Sequence, residues 1–431
     1  MPLSPALPSG RRNGASKRTV PASLTGWLAL AAAALLPMAP AAAQTAEVVH
    51  WWTSKGESAA VQELAKAYRK AGGTWVDTAI AGGDNARNTA ITRMLGGKPP
   101  TVAQFNATQQ FHEVVEEGLL ADIDVVAKAQ NWDAILPEPL RAFIKVNGKY
   151  YAAPVNIHNP SWFWYSKAVL ANAGVTAEPT SMAEFFAALD KIKTSGAIPL
   201  ALGGQNWQEA ILFNTVLHTS GGADLYRRFF GSKDGQVALS PEFKQVLTDF
   251  KRLKQYVDKG SPNRDWNVAA AMIISNKAGF QIIGDYVKGE FLAANKVAGK
   301  DYGCFPGFGP NAPYMIDGDV FVFPKSKDPA MVRAQRRFAE VVTSREAQAA
   351  FNLKKGSVPI RADVDLSTAD ICTQQGMAAL RNPARHLPAP EQIVSAEKNA
   401  AIGDAITKFW NTDQTVEQAA RAFAKAAAIR I

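Results

Sequence analysis

Cysteine is almost absent from this chain of 431 residues, which contains only Cys304 and Cys372. Two cysteines are too few for a disulfide-rich scaffold or for a four-cysteine zinc site. In an oxidising compartment an even pair most simply forms one disulfide. The alternative is two separate buried thiols. The sequence therefore predicts a Cys304–Cys372 bond in a globular protein.

The short motifs of common catalytic centres are also missing. There is no phosphate-binding loop, no zinc-binding H-E-x-x-H helix, no C-x-x-C pair and no G-x-S-x-G nucleophile turn. The five histidines lie far apart, so we expect neither a metal nor a cofactor. The net charge of +9 comes with no run rich in Lys and Arg, which argues against a nucleic-acid partner. Because carboxylates are abundant, an acid pair of the glycosidase type stays open.

The amino terminus has the pattern of a secretory signal. Basic residues between positions 11 and 18 precede an apolar stretch from Leu24 to Leu36, and a run of small residues ends at Ala43. The stretch is shorter than the roughly 20 residues that cross a bilayer, which disfavours a membrane anchor. We therefore predict a cleaved signal peptide over residues 1–43 and a periplasmic mature protein.

Short apolar runs alternate with amphipathic helices from Glu47 onward. The first such unit is predicted as strand 47–53, a helix containing residues 61–68, strand 74–80, a helix over 84–95 and strand 101–106. Helical crossovers of this kind join parallel strands, whose carboxyl ends bind ligands in open α/β sheets. The alternation resumes after residues 149–165, and strand 319–323 brings the chain back to its first half. The pattern predicts two α/β lobes that the chain crosses more than once.

Aromatic residues supply the clearest candidate for a binding surface. Trp51 and Trp52 end the first predicted strand, and Glu57 follows near the start of the next helix. Because adjacent strand residues face opposite sides, one indole can pack inward while the other faces a crevice. An exposed indole covers the C–H face of a sugar, and a carboxylate accepts from its hydroxyls. The alternative interpretation is two core tryptophans and a solvated glutamate.

Six passages in order along the chain resemble a known family. They are Glu47-Val-Val-His-Trp-Trp-Thr-Ser-Lys-Gly-Glu57, Lys98-Pro-Pro-Thr-Val-Ala-Gln104, Ala153-Pro-Val-Asn-Ile-His158, Arg264-Asp-Trp-Asn267, Ile283-Gly-Asp-Tyr-Val-Lys-Gly-Glu290 and Lys355-Gly-Ser-Val-Pro359. With these passages the chain resembles the extracytoplasmic carbohydrate-binding proteins of ABC importers, most closely the glucose/mannose-type members.

The resemblance implies a type II periplasmic binding protein fold, in which each lobe is a mainly parallel sheet flanked by helices and crossover strands form the hinge. Lobe 1 would comprise residues 44–156 plus 307–360, and lobe 2 residues 157–306 plus 361–431. The lobes would close around one sugar, and the closed monomer would then dock on a membrane permease.

The resemblance also implies roles for individual residues. Trp51 or Trp52 together with Trp266 would stack on sugar rings, and Trp207 would be a further wall residue. Glu57 and Asp319 would accept from hydroxyls and Lys355 would donate, while His158 would lie in the crossing segment near the cleft.

Departures from the glucose-type pattern affect specificity. The pattern has glycine where this chain has Lys55, lysine where it has Asn106 and asparagine where it has Asp317, and His386 matches the family's C-terminal histidine only by residue type. Asp317 and Asn106 are therefore included as candidate ligand-binding residues. An amino sugar that pairs with Asp317, a polyol or an oligosaccharide are alternative ligands, and a secreted carbohydrate-active enzyme is the rival function.

Overall fold

The computed structural model describes residues 44–430, and the predicted signal peptide lies outside the described residues. Within them, no helix is both long enough and apolar enough to span a membrane.

Thirteen strands lie within residues 44–430. They are β1 (Thr45–His50), β2 (Thr74–Ala79), β3 (Val102–Asn106), β4 (Lys145–Val146), β5 (Lys149–Tyr150), β6 (Ala152–Pro154), β7 (Trp162–Ser166), β8 (Ile198–Ala201), β9 (Ala278–Ile283), β10 (Tyr302–Phe305), β11 (Tyr314–Ile316), β12 (Asp319–Val322) and β13 (His386–Pro388).

The same residues form nineteen α-helices. They are α1 (Lys55–Lys70), α2 (Gly83–Leu95), α3 (Gln109–Glu116), α4 (Asp124–Ala129), α5 (Trp132–Ile135), α6 (Glu138–Ile144), α7 (Lys167–Asn172), α8 (Met182–Thr194), α9 (Asn206–Ser220), α10 (Gly222–Phe230), α11 (Pro241–Leu253), α12 (Trp266–Ile274), α13 (Lys288–Ala293), α14 (Pro329–Val342), α15 (Arg345–Lys355), α16 (Ile371–Leu380), α17 (Pro390–Ile393), α18 (Ala396–Asn411) and α19 (Val416–Ala427).

The first lobe is built on a five-stranded sheet in the order β2-β1-β3-β12-β6. Strand β1 pairs in parallel with both β2 and β3, as the βαβαβ pattern predicted. Strand β12 enters antiparallel beside β3, so that Asp319 lies opposite Asn106 at the end where β3 terminates. The chain's return from the second lobe therefore places an acidic residue at the carboxyl edge of the parallel strands.

The second lobe is built on a four-stranded sheet in the order β10-β7-β9-β8. Only β8 and β9 are parallel, while β7 pairs antiparallel with both β9 and β10. The two-lobed α/β class is confirmed, but the expectation of mainly parallel sheets needs correction because both sheets are mixed. A strand that arrives from the other lobe has no helical crossover to impose a parallel direction.

Strand β7 shows how the second sheet separates two apolar cores. Trp162 and Trp164 point to the core that continues into the first lobe, whereas Phe163 points to a second core formed with the carboxyl-terminal helices. Successive strand residues face opposite sides of a sheet, and both sides are covered here. The second sheet is therefore buried on its two faces.

A disulfide joins Cys304 of β10 to Cys372 of α16, with 6.0 Å between the Cα atoms, so the predicted pairing is confirmed. It ties the edge of the second sheet to a helix 68 residues further along the chain.

The predicted lobe boundaries stay a prediction. Strand β11 falls within the range expected for lobe 1, yet it pairs with β13, and its residue Met315 packs in the second core.

Candidate ligand-binding site

Three backbone segments run side by side where the two lobes meet. Ile157 and Val358 exchange two hydrogen bonds of 2.8 and 2.9 Å, and His158 and Asp317 exchange two of 2.9 Å. The backbone N–H of Asp285 donates to the carbonyl of Asn159. These bonds gather residues that are up to about 200 positions apart in sequence, and the candidate side chains lie around them.

Asp319 is held by amide side chains. Gln104 Nε2 and Asn106 Nδ2 donate to its Oδ1 at 3.0 and 3.3 Å, and Asn156 Nδ2 donates to its Oδ2 at 2.8 Å. The backbone N–H of Asp319 donates back to Asn156 Oδ1 at 2.7 Å. Because three donors occupy the carboxylate, Asp319 orients its neighbours, and acceptance from a ligand hydroxyl stays a prediction.

Glu57 and Lys355 form a buried ion pair across the first lobe, with 2.8 Å between Lys355 Nζ and Glu57 Oε1. Ser54 caps helix α1 by accepting from the backbone N–H of Glu57, which fixes the position of the carboxylate. No donor within the described residues reaches Glu57 Oε2 within hydrogen-bond distance. That oxygen is the one open to a ligand hydroxyl.

Gly356 ends helix α15 directly after Lys355 with φ of +94°. An added Cβ there would lie 2.6 Å from Lys288 Cβ and 2.7 Å from the Asp285 carbonyl oxygen. Only glycine accommodates both the left-handed conformation and the close approach. The turn therefore fixes where Lys355 lies against the second lobe.

The two tryptophans after β1 have different environments. Trp52 is 1% exposed and packs against Phe321 and Phe351 in the core. Trp51 is half-buried, and its ring lies under the guanidinium of Arg87, with 5.3 Å from the Arg87 Cζ to the ring centroid. Of this pair, Trp51 is therefore the indole that stays partly accessible to solvent.

The second lobe contributes aromatic rings to the same region. Tyr286 packs edge-on against His158 and Trp266, with ring centroids 5.7 and 5.3 Å apart. Lys355 Nζ lies 5.0 Å from the centroid of the Tyr286 ring, so the first lobe's cation touches the second lobe's aromatic group. Trp266 is half-buried at the start of helix α12.

Trp207 lies apart from this group. It is 38% exposed, and its Nε1 donates to Gln205 Oε1, while Gln205 Nε2 donates to Asp265 beside Trp266. These hydrogen bonds connect Trp207 through Gln205 to Asp265, and no side-chain hydrogen bond among the described residues joins it to Glu57 or Asp319. Its role as a wall residue stays a prediction.

Burial shifts the titration of His158 and Asp317. Removal from water lowers the pKa of His158 to about 4; nearby Asp319 opposes that shift and Lys355 adds to it. Burial raises the pKa of Asp317 well above its usual value, and the charges of Glu391 and Asp319 raise it further. His158 Nε2 lies 3.9 Å from Oδ2 of both aspartates, beyond hydrogen-bond distance.

Most of the expected residues are brought together. Trp51, Glu57, Asn106, His158, Trp266, Asp317, Asp319 and Lys355 surround the meeting of the lobes, while Trp52 lies in the core beneath Lys355. His386 lies in β13, and its Nε2 is 3.1 Å from the Leu380 carbonyl oxygen. It therefore has a local structural partner.

Sequence reasoning missed five residues of the site: Arg87, Gln104, Asn156, Tyr286 and Glu391. Three of them, Gln104, Asn156 and Tyr286, stand inside passages that carry the family resemblance, so the signal was present there. Arg87 and Glu391 stand in no such passage. Their contribution depends on helices α2 and α17 packing near Asp317.

Within residues 44–430, no group of three or more His, Cys, Asp or Glu side chains is arranged to hold a metal ion.

The profile of the family described as bacterial extracellular solute-binding protein matches residues 52–349. A probable sugar-binding periplasmic protein of Rhizobium meliloti (strain 1021) is 38% identical over 400 residues, which cover 91% of this chain and 95% of the relative.

Solved structures have the same fold. A chitin oligosaccharide binding protein aligns with a TM-score of 0.76 at 20% identity, over 89% of this chain and 98% of that one. The bacterial solute receptor AcbH, described as having an exclusive preference for β-D-galactopyranose, aligns with a TM-score of 0.74 at 21% identity over 89% and 97%. At these identities the likeness concerns the fold.

Proposed function

This chain belongs to the family of bacterial extracellular solute-binding proteins, and from that premise we propose that it binds a monosaccharide resembling glucose or mannose between its lobes. The ligand would then pass to the membrane permease of an ABC importer. The mature protein would act as a periplasmic monomer after removal of residues 1–43. The name of the Rhizobium relative supports a sugar as the ligand class.

The observation that carries the proposal is the meeting of polar and aromatic side chains from opposite lobes. Lys355 binds Glu57 of the first lobe and also contacts the Tyr286 ring of the second. A sugar needs hydrogen-bond partners for its hydroxyls and flat apolar surfaces for its C–H faces. The charged side chains supply the partners and the aromatic rings supply the surfaces. Closure excludes water, so each hydroxyl that lacks a partner reduces affinity.

Each proposed ligand-binding residue has one task. Trp51 and Trp266 stack on the sugar ring, with Trp207 at the rim and Trp52 supporting Lys355 from the core. Glu57 Oε2 accepts from a hydroxyl, and Lys355 donates. Asp319 orients the Asn106 amide, while His158 and Asp317 face the ligand from the hinge.

Ligand binding stabilises the closed form because the ligand contacts both lobes only there. The three paired hinge segments change a few backbone dihedrals while each sheet moves as a unit. The permease would bind a surface that exists only in the closed form.

The direct test identifies the ligand by mass spectrometry of material released from purified protein, followed by calorimetry of the stripped protein with monosaccharides. Ligand at about 100 times its Kd should raise the free energy of unfolding by about 2.7 kcal/mol. A Trp266→Ala variant should bind about 30-fold more weakly, since a buried aromatic contact contributes about 2 kcal/mol. Val268→Ala, an exposed position on the same helix, is the matched control.

Failure of every sugar to stabilise the stripped protein would contradict the proposal. The rival function, a secreted carbohydrate-active enzyme, predicts turnover of glycosides, whereas a receptor returns its ligand unchanged and in stoichiometric amount.

A further inference from the structure

Asp317 is a carboxylate without a lysine or arginine partner among the described residues. Its Oδ1 accepts from the backbone N–H of the adjacent Gly318 at 2.7 Å. Its side chain is 16% exposed, and within residues 44–430 the His158 ring is the only basic group within 4.0 Å. At 3.9 Å from Oδ2, that ring makes no hydrogen bond to it. Burying a charge in this way costs several kcal/mol unless something pairs with it.

The other charged groups facing Asp317 do not supply that partner. Glu391 from helix α17 and Asp319 from β12 are acidic and raise its pKa. Arg87 opposes them, but its guanidinium is bonded to Asp84 and to Asn106 Oδ1 and stacked on Trp51. Tyr226 and Tyr286 also face Asp317; burial raises the pKa of each phenol, and the charge of Asp317 adds to that shift. The surroundings therefore hold an excess of negative charge.

The His158 side chain is a second observation that indicates a ligand beside Asp317. Its side chain is 7% exposed, and neither ring nitrogen has a hydrogen-bond partner among the described residues. Because its pKa lies near 4, the ring is neutral at pH 7 and one nitrogen can accept. Its Nε2 faces Oδ2 of Asp317 and Oδ2 of Asp319 at the same distance, 3.9 Å. A donor placed between Nε2 and one of these carboxylate oxygens would be within hydrogen-bond distance of both atoms.

Resting on the proposed sugar-binding function, we propose that the ligand is an aminated monosaccharide whose ammonium group binds between Asp317, Asp319 and His158. An ammonium group has three N–H donors and one positive charge, which matches three acceptor atoms and the uncompensated carboxylate. A neutral hydroxyl has one donor and leaves the charge of Asp317 buried. A neutral sugar would therefore bind with Asp317 protonated.

The experiment is calorimetry at pH 7 on stripped full-length mature protein. The probes are the aminodeoxy forms of glucose, mannose and galactose, each beside its neutral parent and its uncharged N-acetyl form. We expect one amino sugar to bind at least 30-fold more tightly than its parent and its N-acetyl form. In Asp317→Asn the preference should fall below threefold, whereas Asp404→Asn, at an exposed site on helix α18, should retain it.

A second measurement keeps the test valid if Asp317→Asn fails to fold. Repeating the titration of the unaltered protein in two buffers of different ionisation enthalpy reports the protons taken up on binding. The amino sugar should bind with almost no proton uptake, and the neutral parent with uptake approaching one proton.

Equal affinity for an amino sugar and its parent, or a preference that survives Asp317→Asn, would overturn the ammonium subsite and leave sugar binding intact. If no sugar of either kind binds, the proposed function itself fails. The two failures are therefore distinguishable.

Discussion

The two lobes hold their candidate ligand-binding residues by different means. In the first lobe, the polar wall of Glu57, Lys355, Asn106 and Asp319 is tied together by hydrogen bonds from amides and by one ion pair. In the second lobe, the aromatic wall of Trp266 and Tyr286 is oriented by ring packing. The second lobe also contains the Cys304–Cys372 disulfide.

Two buried aspartates show a similar contrast. Asp319 has donors on both oxygens, whereas Asp285 Oδ1 has no hydrogen-bond partner among the described residues. A carboxylate that several donors hold keeps one geometry before ligand arrives, which lowers the cost of binding. Aromatic rings that are held by packing fix the shape of the surface instead. The difference is one between a polar wall held by hydrogen bonds in the first lobe and an aromatic wall held by packing in the second.

Removing the disulfide should have the largest effect on this comparison. The double substitution Cys304→Ala/Cys372→Ala should lower the free energy of unfolding by about 4 kcal/mol, because the bond constrains a loop of 68 residues in the unfolded chain. Chemical denaturation measures the loss. Thiols that react in denaturant without reductant would show instead that the bond is absent, and the comparison would lose its covalent element.

Asp319→Asn tests the polar wall. The new amide would face the Gln104, Asn106 and Asn156 donors with donors of its own, so we expect a loss of about 3 kcal/mol in the free energy of unfolding. Urea denaturation measures it, with exposed Asp404→Asn as the control. A loss below about 1 kcal/mol would mean that the hydrogen bonds do not hold this wall together.

His218 tests the second lobe's core, in which burial lowers its pKa to about 4 and neither ring nitrogen has a hydrogen-bond partner in the described part of the chain. Below pH 6.5 His218 takes up a proton in the unfolded chain, but in the folded chain it stays neutral down to about pH 4. This residue therefore lowers the free energy of unfolding as the pH falls through that window. His218→Leu should remove about 2–3 kcal/mol of that loss between pH 6.5 and 4. If the free energies of unfolding of the two proteins changed in parallel with pH, His218 would not be the source of this pH dependence.

The Gly56→Ala substitution tests the contact between helices α1 and α13, at which the lobes meet, and should have the smallest effect. Its Cβ would lie 2.4 Å from the Gly289 carbonyl carbon of helix α13, and the Gly56 N–H donates to Glu290 Oε1 at 2.8 Å. Helix α1 must move outward, which should weaken ligand binding about tenfold, or about 1.4 kcal/mol. Calorimetry compares it with Gly403→Ala, where the added Cβ meets open space. Unchanged affinity would show that this contact is not part of closure.

Much of the fold followed from local patterns. Helical periodicity predicted α1 around residues 61–68, and the structure extends it from Lys55 to Lys70 with Ser54 as cap. Asp84, expected as a helix cap, lies inside α2 instead, because Gly82 at φ of +88° takes the cap position. The last helix, α19, was not predicted; it forms a capping box at Thr415 and packs its apolar face into the second core.

The candidate site was predicted in composition more than in geometry. The resemblance to extracytoplasmic binding proteins is confirmed at the level of the family, and glucose or mannose specificity stays a prediction. Alternation along a strand indicates that the side chains of Trp51 and Trp52 face opposite sides. It does not indicate which of them is covered, since that depends on Phe321 and Phe351 arriving from distant segments.

The order of apolar runs, glycines and family passages determined by itself that this chain folds as a two-lobed solute-binding protein, because periodicity and turn chemistry act over short distances in the chain. Only the tertiary structure decided how charge is distributed where the lobes meet. Among the described residues, Glu57 pairs with a lysine 298 residues away, Asp319 accepts from amides of two segments, and Asp317 has no lysine or arginine within 4.0 Å. Electrostatic energy depends on distance in space and on burial, and neither is encoded in local sequence order.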